Sequence, residues 1–390
     1  MAIQPHPVTG AWMPGDPPGQ RQFFTFPAER PFALDGGNTM HGVTMAYETW
    51  GELDAAASNA VLLCHAWTGD SHAAGPAVRG HEAPGWWSPL IGPGLAIDTN
   101  RCFVVCVNVL GGCQGSTGPA SADPADGLPY GSRFPVLTIR DMVRAQARLA
   151  DHLGIGSWQS VIGGSMGGMQ VLEWAITFPH RVRSIVPIAT CAQATAQQIA
   201  WGAIGRRAIR LDPKWRGGDY YGAEYGDGPW EGLSVARMVA QVTFRSDNVF
   251  TEKFGRSIAD GGTLGAPADL WQRFEVESYL DHHGEKLIRR FDANSYLIIG
   301  KAMDLHDVGR GRGGLEAAMR RVTMPSVVVG ISSDVLYPSY QQRQIHDLLR
   351  SGSESLYTEI DSPHGHDAFL INVDQLAPVL DELLTTIAKQ

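Results

Sequence analysis

Cysteine is scarce in this chain and shows no pairing pattern. Its five residues, Cys64, Cys102, Cys106, Cys113 and Cys191, contain no C-x-x-C motif and are odd in number, which argues against a disulfide framework. Cys64, Cys102 and Cys106 fall within apolar runs, where reduced core thiols are expected. There is no N-x-S/T sequon. No stretch approaches the ~20 apolar residues needed to cross a bilayer. Residues 1–22 are polar and rich in Pro and Gly, without the apolar centre of a secretory signal. The net charge is −9, but neither sign gathers into long runs, which argues against nucleic acid or a membrane surface as partner. Internal repeats and low-complexity tracts are also missing. A soluble, cytoplasmic enzyme or binding protein is the expectation.

What is present is a large apolar fraction arranged in two alternating ways. Continuous apolar runs occur at 59–64, 102–109, 157–164, 182–189 and 324–331, with a further strand-like run at 355–360. Runs buried on both faces that alternate with helical patterns mark a mostly parallel sheet. Residues 43–50 alternate as a half-buried strand does, and 138–153 reads as an amphipathic helix with Thr138 as N-cap. Residues 1–30 read as an irregular arm. From about 193 to 321 apolar residues recur instead at helical spacing, notably at 233–244, 270–280 and 287–303. A last helix covers 373–388. The expected organisation is therefore an α/β core in two parts, 1–190 and 323–390, interrupted by a helical cap at 191–322.

Gly163, Ser165 and Gly167 form a G-x-S-x-G motif between an apolar strand and a helix-forming run that stops before Pro179. That is the strand–turn–helix setting of a nucleophile elbow. Such a turn strains the Ser backbone, and side chains two residues either side would strike neighbouring backbone, hence the glycines. The turn presents the Ser165 hydroxyl and leaves the N–H of Met166 free at a helix N-terminus, ready to hold an oxyanion. A phosphate-cradling loop is the competing reading, but the Walker A spacing and its Lys are missing. In a hydrolase-like core the triad follows the order Ser, acid, His, each from a loop at a strand's carboxyl end. Asp334 follows the strand at 325–331, and His364 and His366 both follow the last strand. The second oxyanion donor is expected from the backbone N–H of Trp67, in the loop after the strand at 59–64. His65 there reads as a packing or hydrogen-bonding histidine, and the H-x4-D pattern of His65 and Asp70 as coincidental. His282, His283 and the run Asp304 to Asp307 could suggest metal ligands. Without matching partners they are expected to be solvated, and no metal site is assigned.

Several separated motifs, spread over about residues 20–388, resemble the homoserine O-acyltransferase family of the α/β-hydrolase fold. They are His65 to His72, Asn108 to Pro119, Gly163 to Gly168, Gly232 to Arg237, Ser333 to Pro338 and Gly365 to Leu370. Trp67 departs from the pattern, which more often has Leu there. The resemblance implies the α/β-hydrolase fold with an inserted cap, and it places the catalytic imidazole at His366 rather than His364. It also implies that Arg237 and Asp367 hold the amino-acid acceptor, by its carboxylate and its ammonium. The implied reaction is ping-pong transfer of acetyl from acetyl-CoA to L-homoserine through an acyl-Ser165, in methionine biosynthesis. A homodimer formed through the cap is implied too, and no bound cofactor. The alternatives are succinyl-CoA as donor, serine or another hydroxyl as acceptor, an esterase with the same triad, and a non-catalytic binding protein.

Overall fold

The computed structural model describes residues 6–259, 270–349 and 352–389. Eight strands form the central sheet: β1 (Gln22–Thr25), β2 (Thr44–Trp50), β3 (Ala60–Cys64), β4 (Phe103–Val107), β5 (Ser160–Gly164), β6 (Ile185–Ile188), β7 (Ser326–Ile331) and β8 (Ser355–Ile360). Their spatial order is β1-β2-β4-β3-β5-β6-β7-β8. β1 and β2, and β2 and β4, run antiparallel; every later pairing is parallel. The arm expected over 1–30 is thus not wholly irregular. Phe23 and its neighbours pair with Ala46 in register and extend the sheet edge.

Alternation along the strands divides the core in two. Leu62 and Val105 face one apolar cluster, whereas Val61, Leu63, Val104 and Cys106 face another. The first cluster is closed by α1 (Ile139–His152) and α2 (Met166–Thr177), the second by the C-terminal helix Val373–Ala388. α1 begins where the sequence says: Thr138 accepts from the Asp141 N–H and Asp141 reaches back, a capping box. Such a cap is worth about 1 kcal/mol. α2 is buried almost all round, so it carries apolar residues on every face. A buried amide chain ties the two helices together. Gln146 donates to Gln170 (2.7 Å) and accepts from the Trp174 indole (2.8 Å). All five cysteines are free and buried.

Between β6 and β7 the described residues form six α-helices: α3 (Ala196–Leu211), α4 (Trp230–Phe244), α5 (Asp247–Phe254), α6 (Glu275–Ile288), α7 (Ala293–Asp304) and α8 (Leu315–Met319). A third apolar cluster seats this layer on the core, joining Met142, Met166 and Met169 to Leu233, Tyr296 and Ile299. Two helical segments differ from expectation. The helix expected at 270–280 begins at Glu275 and continues to Ile288. The pattern at 287–303 is broken at Asp292, whose carboxylate caps α7 by accepting from the Ser295 N–H and also takes both the Tyr220 and Tyr221 hydroxyls. Cap chemistry overrode the apolar period. The expected solvation of the Asp304–Asp307 run also fails. Asp304 pairs with Arg206 at 2.5 Å, and His306 is buried, donating to the Cys191 carbonyl at 3.1 Å. No described helix is long and apolar enough to cross a membrane.

Candidate active site

Because β3, β5, β7 and β8 are parallel, the loops at their carboxyl ends open on one edge of the sheet, where ligands of such sheets bind. Ser165 sits between β5 and α2 at φ 59° and ψ −123°, a strained conformation for a residue with a side chain. Two hydrogen bonds hold it there: its N–H donates to the Ile188 carbonyl (2.9 Å), and its carbonyl accepts from the Thr190 hydroxyl (2.8 Å). The glycines are required by close approach. A Cβ on Gly167 would come within 2.1 Å of the Cys64 carbonyl oxygen, and one on Gly163 within 2.8 Å of the same atom.

Asp334, in the loop after β7, presents both carboxylate oxygens to fixed partners. Oδ1 accepts the N–H groups of Leu336 and Tyr337, each at 2.8 Å. Oδ2 takes Nδ1 of His366 at 2.6 Å. His364 lies outside this contact; its backbone N–H donates to the Ser362 hydroxyl. Since a carboxylate only accepts, Nδ1 of His366 carries the proton and Nε2 is left with a free lone pair. Nε2 is buried and has no hydrogen-bond partner among the described residues. Burial disfavours the charged imidazolium, but the charge and hydrogen bond of Asp334, and more distantly Asp367, outweigh it and raise the His366 pKa above 6.5. Tyr337, Phe369 and Phe244 surround the ring.

Ser165 and His366 line a cavity of about 780 Å³ between the core and the cap. Trp67, Arg237 and Asp367, all singled out in the sequence, line it too, and Tyr296 and Arg290 join them. The N–H groups of Trp67 and Met166 donate to no protein acceptor among the described residues. The Trp67 indole packs on Tyr296 (4.2 Å between centroids) and into a notch at Gly300, where a Cβ would lie 2.8 Å from it. Arg237 projects from α4 over the Phe244 ring, with no carboxylate within 4.0 Å among the described residues. Burial and the nearby Arg290 guanidinium disfavour its charge, Asp367 favours it, and the net effect is a pKa below the ordinary arginine value. Asp367 is half-buried and paired with Arg245 at 3.3 Å.

Arg245, Arg290 and Tyr296 were not singled out from sequence. Arg245 and Asp367 are 122 residues apart, and no local pattern announces their meeting. Arg290 ends the turn after α6 and donates to the Thr68 carbonyl at 2.7 Å, joining the cap to the loop that carries Trp67. Near the cavity's other end, Glu48, His72 and His81 lie close enough to resemble metal ligands. Their atoms are engaged with one another and with neighbours. Glu48 accepts from the Ser71 hydroxyl (2.9 Å) and from His72 Nδ1 (2.8 Å), and His81 Nε2 accepts the Gln20 N–H (3.2 Å). We read this cluster as the anchor of the N-terminal arm.

Comparison with known proteins agrees with this geometry. The α/β-hydrolase fold family matches residues 59–373. A homoserine O-acetyltransferase of Thermobifida fusca is 53% identical over 97% of this chain and 98% of its own length. One from Moorella thermoacetica is 50% identical over 90% of this chain and 92% of its own. Among solved structures, the Bacillus anthracis homoserine O-acetyltransferase superposes with a TM-score of 0.85 at 31% identity, covering 93% of this chain and 97% of that one. Esterase E22 superposes almost equally, with a TM-score of 0.84 at 30% identity, covering 93% and 99%. Fold alone therefore does not separate transfer from hydrolysis, whereas identities of 50% and 53% over 90% and 97% of the chain do carry weight. By that identity and coverage, the chain belongs to the homoserine O-acetyltransferases, acyltransferases of the α/β-hydrolase fold.

Proposed function

We propose that the protein transfers the acetyl group of acetyl-CoA to the hydroxyl of L-homoserine, giving O-acetyl-L-homoserine and CoA for methionine biosynthesis. One observation carries the reading. A guanidinium without a carboxylate partner among the described residues, Arg237, and a carboxylate, Asp367, line the same cavity as Ser165 and His366, the latter held by Asp334. An amino acid offers the complementary charges, and an esterase would have no use for the pair. In the first half-reaction His366 Nε2 takes the Ser165 hydroxyl proton while Oγ attacks the thioester carbon. The oxyanion is held by the N–H groups of Trp67 and Met166, and collapse expels CoA with the proton from His366. In the second, His366 takes the proton of the homoserine hydroxyl, which attacks the acyl carbon. Collapse returns the proton to Ser165 and releases the ester. Asp334 keeps the imidazole in the required tautomer and stabilises it when charged. No bound cofactor is invoked.

Arg237 is assigned to the homoserine carboxylate and Asp367 to its ammonium, which then competes with Arg245. The cap, with its domain limits near 191 and 322, serves to keep water from the acyl-enzyme so that transfer wins over hydrolysis. The reading is tested by incubating the enzyme with acetyl-CoA and homoserine and following O-acetylhomoserine by mass spectrometry. CoA release that is independent of homoserine would instead mark an esterase-like hydrolase. A succinyl-CoA arm and a serine arm in the same assay decide donor and acceptor. Arg237→Ala is expected to raise the KM for homoserine roughly ten- to hundredfold, the effect of losing one charged hydrogen-bonding partner, while acylation by acetyl-CoA stays near wild type. Equal loss in both half-reactions would remove Arg237 from the acceptor site.

Two further assignments belong to the same proposal. A homodimer through the cap is supported by exposed Ile204 and Leu211 on α3 and Val235 and Val242 on α4, each pair seven residues apart on packed helices. Sedimentation of the intact chain reads this directly. A cytoplasmic location fits an enzyme that consumes acetyl-CoA.

A further inference from the structure

His65 plays no part in the proton transfers above, yet its imidazole is among the most constrained groups in the molecule. It is 1% exposed, and both ring nitrogens are engaged. The Val109 N–H, just past β4, lies 3.1 Å from Nε2, and only the N–H can donate in that contact. Nδ1 lies 2.8 Å from the Ala66 carbonyl, which can only accept. Together the two contacts fix a neutral imidazole with its proton on Nδ1. Burial, the dominant influence on the ring, lowers its pKa below 6.5 and keeps that form.

The Ala66 carbonyl also accepts the Gly69 N–H at 2.8 Å, so two donors grip one oxygen. That oxygen shares a planar trans peptide with the N–H of Trp67, and across such a peptide C=O and N–H point in opposite directions. Holding the carbonyl toward His65 and Gly69 therefore holds the Trp67 N–H toward the cavity. Rotation of this one peptide would turn a carbonyl oxygen on the developing oxyanion, reversing the sign of the interaction. The loop is secured from other sides as well. Gln170 of α2 donates to the His65 carbonyl at 3.3 Å, and Arg290 of the cap donates to Thr68. Neither of these touches the Ala66–Trp67 peptide.

We propose that His65 is a positioning residue for acyl transfer: its Nδ1–H locks the Ala66–Trp67 peptide in the orientation that makes Trp67 an oxyanion donor. The inference rests on the reading of Ser165 as the acylated nucleophile and Trp67 as a donor. The H-x4-D coincidence with Asp70 noted in the sequence is thereby given a different meaning, since His65 acts on the backbone and not on a substrate proton.

Two substitutions separate this role from general packing, because each keeps one of the two ring contacts. In His65→Asn the side-chain amide N–H stands where Nδ1–H does and reaches Ala66. In His65→Gln the longer amide reaches the Val109 N–H and leaves the Ala66 carbonyl to Gly69 alone. Acylation is followed as the burst with p-nitrophenyl acetate and with acetyl-CoA, alongside thermal unfolding. The expected result is a kcat for acylation about 10²-fold lower in His65→Gln, the typical loss for one oxyanion donor, with KM little changed. His65→Asn recovers most of that loss, although both variants lose similar stability. Equal rates in the two variants, whether both reduced or both intact, would overturn the positioning role. So would a greater loss in Asn than in Gln. Failure of wild-type Ser165 to acylate with either donor would instead strike the underlying reading, and the inference would fall with it.

Discussion

Replacing Ser165 with Ala is expected to abolish acetyl transfer, with a loss of as much as roughly 10⁶-fold in rate measured as O-acetylhomoserine formed per enzyme. The size follows from how much of the site converges on one atom. The strained backbone at φ 59°, the close approaches at Gly163 and Gly167, and a His366 Nε2 with no partner among the described residues would all serve to present and activate the Ser165 hydroxyl. Without it the remaining donors can still bind an acyl carbonyl, but no acyl-enzyme forms. The variant keeps its fold, because the Ser165 backbone N–H and carbonyl make the structural hydrogen bonds. Turnover within tenfold of wild type would exclude covalent catalysis and return attention to direct attack by the acceptor.

The second large effect is expected for Asp334→Asn, about 10⁴-fold in kcat, as for other enzymes that orient a histidine base with a buried carboxylate. An amide can offer its N–H to Nδ1, which inverts the tautomer and places the proton on Nε2, facing Ser165. The pH dependence reports the same contact. His366 must be neutral to accept the hydroxyl proton, and Asp334 raises its pKa above 6.5. Acylation in the wild type should therefore rise as pH climbs through an apparent pKa above 6.5 and then level off. In the variant the Asp334 charge is gone, burial is opposed only by the more distant Asp367, and the midpoint should move to lower pH along with the loss in rate. An unchanged midpoint in the residual activity would contradict the assignment of Asp334 as the partner that sets the His366 pKa.

Much of this site could be read before any coordinates, and the reasons are local. The G-x-S-x-G turn is legible because the collisions that demand glycine arise within the turn and with the adjacent strand. The strands are legible because burial on both faces leaves continuous apolar runs, and the start of α1 because a Thr–Asp capping box lies within four residues. Asp334 stands out as the first acid after a strand of the right rank. His366 differs: the residues alone left it equal to His364, and the contact with Asp334 at 2.6 Å selects it. What sequence did not disclose depends on distant partners. Arg245 acquires its meaning from Asp367, Arg290 from Thr68, and Asp304 its burial from Arg206 on another helix. His65 was legible as a hydrogen-bonding histidine, but Val109, which fixes its tautomer, arrives from the loop after β4, 44 residues later. The cap was the least legible part, because buried polar pairs there mimic solvated turns, and helix limits followed side-chain caps such as Asp292.

The near-equal likeness to homoserine O-acetyltransferase and to esterase E22 locates specificity outside the triad. Under the proposed mechanism, transfer and hydrolysis would share the acyl-serine and part in what attacks it. In the present account Arg237 and Asp367 bring an amino-acid hydroxyl to the acyl carbon while the cap holds water away. A defect in either residue should therefore change the fate of the acyl-enzyme more than its formation.

The most direct test of the central claim is intact-protein mass spectrometry after brief mixing with acetyl-CoA, repeated after addition of homoserine. A gain of one acetyl group is expected on the wild-type chain and none on Ser165→Ala. Adding homoserine should discharge it, with O-acetylhomoserine appearing in equal amount. An adduct that decays to acetate at a rate indifferent to homoserine would contradict the account.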